Sequence, residues 1–207
     1  MLVRALILSL TLCISLSATS GQTPTPKGLE YCTVCHGSQL KGNQNIGAPR
    51  LSGLPQWYLE RQLKNFKEGI RGVHSEDTRG MEMRMMVGTL REEDIKSIAA
   101  WVVATDSEQP EPTISADTVA GEALYQSCTA CHGLNGQGNE DIGAPNLRGL
   151  NDWYLVTQIN HFRLNLRGTE SADVYGQQMR AASTIVASQL DAENLAAYIS
   201  SLQTESE

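Results

Sequence analysis

Two short stretches, CTVCH at residues 32–36 and CTACH at residues 128–132, repeat the pattern Cys-x-x-Cys-His at an interval of 96 residues. This is the pattern by which c-type haem is attached to a protein. Two thiols at this spacing can bond to the two vinyl groups of a porphyrin, and the histidine that follows can reach the iron from one face. The stretches predict two covalently bound haem c groups, with the anchors Cys32, Cys35, Cys128 and Cys131 and the iron ligands His36 and His132.

Paired cysteines also occur in two other kinds of site. A four-cysteine zinc site would need the two pairs to meet in space, and a thioredoxin-like pair would act as a redox dithiol. Neither explains why a histidine follows the second cysteine in both stretches. Aromatic residues make up only 5% of the chain, with two Phe in 207 residues. Porphyrins would supply the bulk that aromatic rings usually give to a core.

The interval of 96 residues extends well beyond the two motifs and indicates that the chain contains two copies of one domain. Identical residues pair at this offset, without a gap, as far as Arg84 and Arg180, after which the register slips by one residue. We predict an N-terminal domain over residues 21–105, a linker over residues 106–117 and a C-terminal domain over residues 118–207. Two prolines and several acids indicate that the linker is extended and solvated.

The first twenty residues are predicted to be a cleaved secretory signal peptide. They contain one basic residue, Arg4, then an apolar run over residues 5–16 and small residues at 18–20 that suit signal peptidase. The apolar run is shorter than the ~20 residues of a membrane-spanning helix. A lipoprotein signal at Cys13 is the weaker alternative, because Leu12 is bulky where such sites have a small residue. Cleavage would place the mature protein in the periplasm.

Apolar residues recur with helical spacing in each copy, and no convincing strand pattern is present. The stripe formed by Leu59, Leu63, Phe66 and Ile70 returns at the same offset in the second copy. The opening helix of the first copy is expected to be short and to begin near Pro26, since prolines precede it. We predict further helices over residues 91–103, 120–127 and 191–202, and loops over residues 42–53 and 136–149. The predicted fold class is all-α.

Methionines are the candidates for the sixth ligand of each iron. The second copy offers Met179 alone, and the offset pairs it with Met83, so these two are the predicted axial ligands. The histidines outside the motifs, His74 and His161, have no histidine at the paired position and are predicted to lie at the surface. Flexible packing at the haem edge or the domain interface is predicted for the three other methionines of the first copy, Met81, Met85 and Met86.

These features together resemble the class I c-type cytochromes, and among them the dihaem cytochrome c4 group. The resemblance rests on both Cys-x-x-Cys-His motifs, the Ala-Pro-x-Leu-x-Gly loops at residues 48–53 and 144–149, the paired methionines and the closing helices. It implies two tandem cytochrome c domains, each wrapped around one covalent haem. It also implies that the carbonyl oxygens of Pro49 and Pro145 accept hydrogen bonds from the histidine ligands, which would orient the rings. The short opening helix of the first copy departs from the family pattern.

Iron held by His on one face and Met on the other has no open position for a substrate, which favours electron transfer over catalysis. The predicted function is to carry single electrons from a quinol-oxidising complex or dehydrogenase to a terminal oxidase or reductase. The alternatives are a haem enzyme, either a peroxidase or a sulfur-compound dehydrogenase, and a cytochrome subunit of a larger oxidoreductase. Enzyme activity would need a displaceable ligand in one domain, and the repeat pairs the same ligand types in both.

The net charge indicates the kind of partner. The formal charge of −7 becomes about −8 without Arg4 and the rest of the signal segment. Nucleic acid is therefore not expected as a partner, and redox proteins with basic docking surfaces are. Peripheral association with the membrane is compatible with this composition, and the oligomeric state is left open.

Overall fold

Helices joined by glycine-rich loops make up the computed structural model, which describes residues 25–202. The predicted signal segment, with Cys13, lies outside these residues. Within them there is no β-sheet, and strand-like pairing is limited to two isolated bridges, Asn43 with Ala48 and Asn139 with Ala144. The all-α prediction is confirmed. No helix within the described range is long and apolar enough to cross a membrane.

Within the described residues, the helices of the first domain have counterparts in the same order in the second domain, which has one further helix. Those of the first domain are α1 (Glu30–His36), α2 (Gln56–Lys67), α3 (Thr78–Val87) and α4 (Glu92–Ala104). Those of the second domain are α5 (Thr118–Tyr125), α6 (Thr129–His132), α7 (Asp152–Arg163), α8 (Val174–Ala182) and α9 (Gln189–Ser201). Short 3₁₀ turns lie at Gln44–Ile46 and Ser183–Ile185.

Side-chain caps explain where several helices begin. The carboxylate of Asp117 accepts hydrogen bonds from the N–H groups of Val119 and Ala120, so α5 starts two residues before the predicted position. A capping box starts α9, in which Ser188 and Asp191 bond to each other's backbone N–H groups. The closing helices α4 and α9 lie within two residues of their predicted bounds.

The opening helix differs between the two domains. In the first domain α1 begins at Glu30, not near Pro26, because the chain first makes a turn in which the N–H of Leu29 donates to the carbonyl of Pro26. In the second domain α5 lies against α9, and a Cβ at Gly121 would collide with the backbone of Asn194. The residue 96 positions before Gly121 is Thr25, so the first domain lacks this close helix crossing.

The predicted apolar stripes face the interior of each domain. Leu59, Leu63 and Phe66 of α2 are buried, and so are their counterparts Leu155, Ile159 and Phe162 of α7. The closing helices α4 and α9 cover the other side with a second set of buried apolar residues. A large cavity remains between these layers, lined from both domains.

The segment between the domains is extended but attached to both of them. Ser107 is buried, where its hydroxyl and carbonyl oxygens accept hydrogen bonds from the Arg50 guanidinium of the first domain. Farther along, the carboxylate of Asp152 accepts from the backbone N–H groups of Thr113 and Ile114, at 2.5 and 2.7 Å. The expectation of a solvated segment is wrong at Ser107. Hydrogen bonds to buried charged groups hold the segment in place.

Candidate haem centres

The cavity brings together all of the predicted haem-binding side chains. Its wall contains both Cys-x-x-Cys-His motifs, both loop prolines and both paired methionines. These residues lie at matched positions in the two domains: Cys32, Cys35, His36, Pro49 and Met83 in the first, and Cys128, Cys131, His132, Pro145 and Met179 in the second. Much of the remaining lining is apolar, as the ring of a porphyrin requires.

The two motif histidines are buried at helix ends and oriented in the same way. His36 is the last residue of α1, and its Nδ1 lies 2.7 Å from the carbonyl oxygen of Pro49. His132 ends α6, and its Nδ1 lies 2.9 Å from the carbonyl oxygen of Pro145. A carbonyl can only accept, so Nδ1 carries the proton and Nε2 keeps a lone pair for a metal. The hydrogen bonds implied by the family resemblance are present.

Burial keeps both histidines neutral. Loss of hydration lowers the pKa of His36, and the hydrogen bond to Pro49 opposes this effect in part. The pKa of His132 is lowered for the same reason, again against the hydrogen bond to its proline. Neutral imidazole is the form that ligates iron. Both rings are therefore held in the protonation state that can ligate a metal.

The four cysteines are free thiols in the structure. Burial raises the pKa of Cys32 to about 11 and that of Cys128 to about 11, so these thiols are not the activated thiolates of a dithiol redox site. The described residues also contain no group of three or more His, Cys, Asp and Glu side chains that could hold a metal ion. These findings give no support to the thioredoxin-like and zinc alternatives.

Helices α3 and α8 place Met83 and Met179 at equivalent points on the cavity wall. Each helix is capped by a buried aspartate, Asp77 or Asp173, whose carboxylate accepts from the N–H of the glycine three residues later, at 2.8 or 2.9 Å. A Cβ at either glycine would collide with that carboxylate. The caps therefore fix where both helices start, and each methionine follows six residues after its cap.

The other methionines of the first domain differ from one another. Met86 lines the cavity, which agrees with packing near a haem, although 45% of its surface is exposed. Met85 is 74% exposed, so the expectation that it packs at the haem edge or the domain interface is wrong. Met85 points away from the core because it lies on the solvent side of α3.

Unpartnered polar atoms in the cavity wall indicate what the bound group must offer. The Nε atoms of Arg71 and Arg167 and the indole Nε1 of Trp101 are buried without a hydrogen-bond partner, and all three side chains line the cavity. Buried donors of this kind normally bond to an acceptor. A flat apolar ring that carries carboxylates satisfies both the apolar wall and these donors. Haem, with its two propionates, has this chemistry, so the residues fit the group.

A hydrogen-bond network with approximate twofold symmetry joins the domains beside the cavity. Arg71 donates to Gln62 of its own domain at 2.8 Å, and to Gln158 and the Tyr154 hydroxyl of the other domain at 3.0 and 3.1 Å. Arg167 reproduces the arrangement, donating to Gln158 at 2.6 Å and across the interface to Gln62 at 2.8 Å. Each guanidinium also stacks on a phenylalanine ring of its own domain.

Sequence reasoning did not identify this network, although a signal was present. The offset of 96 pairs Arg71 with Arg167, Gln62 with Gln158 and Tyr58 with Tyr154. Polar residues that are identical in both copies have a reason to be retained. The offset of 96 alone could not show that these residues contact one another across the domain interface.

Helix α2 adds a second contact between the domains. The Arg61 guanidinium donates to the carbonyl of Gly143 at 2.6 Å and stacks on the Tyr175 ring at 4.3 Å. On another part of the interface, Arg50 donates to the Gly149 carbonyl at 3.0 Å. Arginines of the first domain thus provide many of the donors at the interface.

His161 lies at the interface rather than at the surface. Its side chain is 14% exposed, and its Nδ1 lies 3.5 Å from the Asp77 carboxylate of the other domain. The sequence-based expectation is therefore wrong for this residue. The absence of a histidine at position 65 made His161 look incidental, but the residue is on a face of α7 that turns toward the first domain.

We expect His161 to make the stability of the domain interface depend on pH. Burial lowers its pKa below the ordinary 6.5; Arg71, Arg167 and His74 act in the same direction, and Asp77 opposes them. The unfolded chain then binds more protons than the folded one, so the free energy of unfolding falls as the pH drops below about 6.5. The variant His161→Asn, which carries the residue found at position 65, should lose this part of the pH dependence. Denaturant unfolding between pH 5 and about 8 measures the effect, and parallel curves for the two proteins would contradict it.

Comparison with known proteins shows the family. The family model described as cytochrome c matches residues 29–106 and again residues 118–203. Cytochrome c4 of Azotobacter vinelandii is 29% identical over 97% of this chain and 98% of its own length. A protein of Stutzerimonas stutzeri named thiosulfate dehydrogenase electron acceptor is 30% identical over 73% of this chain and 72% of its own length.

Solved structures agree with this assignment. The crystal structure of reduced recombinant cytochrome c4 from Pseudomonas stutzeri superposes with a TM-score of 0.64, at 28% identity, over 82% of this chain and 92% of the other. Two cytochrome c domains imply two covalent haem c groups, and the described motifs provide a pair of cysteines for each. The chain belongs to the cytochrome c family, as a two-domain, dihaem electron-transfer cytochrome similar to cytochrome c4.

Proposed function

We propose that this cytochrome carries single electrons between a respiratory donor and a terminal oxidase or reductase, using one haem in each domain. His36 and Met83 would ligate the first iron, and His132 and Met179 the second. The observation that carries the proposal is the matched position of these pairs on the cavity wall. Cys32, Cys35, Cys128 and Cys131 would form the thioethers, and Pro49 and Pro145 would orient the histidines.

The surrounding residues suit electron transfer more than catalysis. When bound, each haem supplies a reversible one-electron couple. Buried neutral histidines and thioether sulfurs would both ligate each iron, which would leave no free ligand position for a substrate. The caps at Asp77 and Asp173 would hold the methionine-bearing helices in place in either oxidation state, which limits rearrangement when an electron arrives or leaves.

A dehydrogenase is a specific candidate for the donor. One similar protein is named a thiosulfate dehydrogenase electron acceptor, and the similarity covers most of both chains. A protein of this kind receives electrons from a sulfur-compound dehydrogenase, so the present chain is a candidate for the same position. The quinol-oxidising complex remains the other candidate donor.

We further propose that the protein works in the periplasm after removal of residues 1–20. Free thiols do not persist in an oxidising compartment, so the cysteines would be bonded to another group there. The haem thioethers would provide that bond for all four described cysteines. The working domains would then be residues 21–105 and 118–207.

A spectroscopic redox titration of the purified holoprotein tests the proposal. We expect two covalent haems per chain, two one-electron transitions, and methionine ligation of both irons in the oxidised form. Assays with thiosulfate and with peroxide should show no turnover by the protein alone. A haem that lacks methionine ligation when oxidised, or catalytic turnover of either compound, would favour the enzyme alternative.

A further inference from the structure

The charge of the chain is distributed very unevenly between its two halves. Residues 21–105 contain eleven Lys and Arg against nine Asp and Glu, whereas residues 106–207 contain four against fourteen. The first half is therefore close to neutral, and the second half carries a formal charge of about −10. The net acidity that the composition indicates belongs to one half of the molecule. A polarised charge distribution orients a partner during approach.

The exposed groups make the contrast sharper. Between residues 106 and 202 the basic side chains are four arginines, and each is buried or half-buried. Exposed acids in the same range are Asp106, Glu108, Glu111, Asp117, Glu122, Glu140 and Asp141. In the first domain several exposed acids form ion pairs with bases, as in Arg79 with Glu82 at 2.8 Å and Arg91 with Glu93 at 2.8 Å.

One acidic pair lies beside the part of the cavity that the second domain lines. Glu140 and Asp141 are exposed, have no ion-pair partner within residues 25–202, and directly precede Ile142. Ile142 lines the cavity and is 41% exposed, so it lies at the cavity rim. At the equivalent place in the first domain the residues are Gln44, Asn45 and Ile46.

The comparison between the two loops is informative because the repeat keeps the rest of the loop constant. Both loops contain a bridge that closes on the alanine before the loop proline, and both place an isoleucine on the cavity wall. The loop of the first domain has two neutral amides where the loop of the second domain has two carboxylates of nearly the same shape. An apolar residue at the cavity rim next to unpaired charges has the composition of a transient docking surface.

We infer that the loop at residues 140–142 is the docking surface for a basic redox protein, which would exchange electrons with the haem of the second domain. The inference rests on the proposed function, since it needs a haem in that cavity. The neutral loop at residues 44–46 would leave the first domain free for a partner of different charge. Electrons would then enter and leave the molecule by different loops.

Stopped-flow measurement of the bimolecular electron-transfer rate tests the inference. The probe is mitochondrial cytochrome c, a basic one-haem protein, at low ionic strength. The variant Glu140→Gln/Asp141→Asn gives the second loop the residues of the first. The matched control, Glu68→Gln/Glu76→Gln, removes the same charge from exposed positions of the first domain. Each variant removes two negative charges, and the two variants differ in where on the molecule these charges lie.

We expect the loop variant to slow the reaction by about three- to tenfold and the control by less than about twofold. The difference should disappear at high salt, because screening removes the electrostatic attraction. Equal slowing in both variants, or no slowing in either, would overturn the local docking surface. A redox titration of the wild-type protein and of each variant separates this failure from failure of the proposed function. If two methionine-ligated haems are present, the proposed function stands. If the wild-type protein lacks them, the proposed function fails.

Discussion

Substitution of Met83 by histidine is expected to lower the midpoint potential of one haem and leave the other almost unchanged. A thioether ligand favours ferrous iron, whereas a second imidazole favours the ferric state. Axial ligands set haem potentials over a range of about 0.8 V, and we expect this exchange of ligand to lower the midpoint potential by roughly a quarter of that range. Met179→His should do the same to the other haem. The two variants together would assign each transition to a domain.

The control for this experiment is Met85→His, in the same helix. Met85 is 74% exposed and lies outside the cavity wall, so its substitution should leave both potentials and both spectra unchanged. A potentiometric titration followed by absorbance measures all three variants. If Met83→His shifts neither transition, or shifts both equally, Met83 is not the axial ligand of a single haem.

The haem-binding residues could be predicted from sequence because covalent attachment leaves a local pattern. Cysteines two residues apart followed by histidine require no knowledge of the fold, and the second copy removed most of the ambiguity in the first. The offset of 96 also selected Met83 from four candidates, and both Met83 and its counterpart Met179 line the cavity. A duplicated chain thus provides an internal comparison for each residue.

The relation between the two copies could not be predicted in the same way. The offset shows which residues correspond but not how one domain is placed against the other. The bonds from Arg71 to Gln158 and from Asp152 to the linker depend on that placement. His161 and the segment near Ser107 were assigned to solvent for this reason, but contacts between sequence-distant groups bury Ser107 and cover most of the His161 side chain.

The symmetric contacts between the domains and the groups found on one side only have different consequences for the cytochrome. The interface network is almost identical from either domain, so it joins the two haem sites without distinguishing them. The acidic pair Glu140 and Asp141 and the contact of His161 with Asp77, in contrast, have no counterpart at the paired positions. A shared scaffold with a few unmatched surface groups allows two similar redox centres to meet different partners.

Loss of the Arg71 side chain is expected to be among the most destabilising single changes outside the haem ligands. Arg71→Met keeps the length and apolar stem of the side chain but removes the donors to Gln62, Gln158 and Tyr154. These acceptors are half-buried at the interface and would be left with fewer partners. Breaking a buried charged network in this way costs about 3 kcal/mol of the free energy of unfolding. Arg167→Met should have a similar effect because it mirrors the same contacts.

Denaturant unfolding of the holoprotein measures this cost, and Arg84→Met is the matched control. Arg84 is exposed on α3, so its substitution should change the free energy of unfolding by no more than about 0.5 kcal/mol. A double-mutant cycle with Tyr154→Phe isolates the bond across the interface, for which we expect a coupling of about 1 kcal/mol. If Arg71→Met costs no more than Arg84→Met, or if the cycle shows no coupling, the network does not hold the domains together. A coupling of the expected size would mean that each domain's stability depends on the other, because the tyrosine and the arginine belong to different domains.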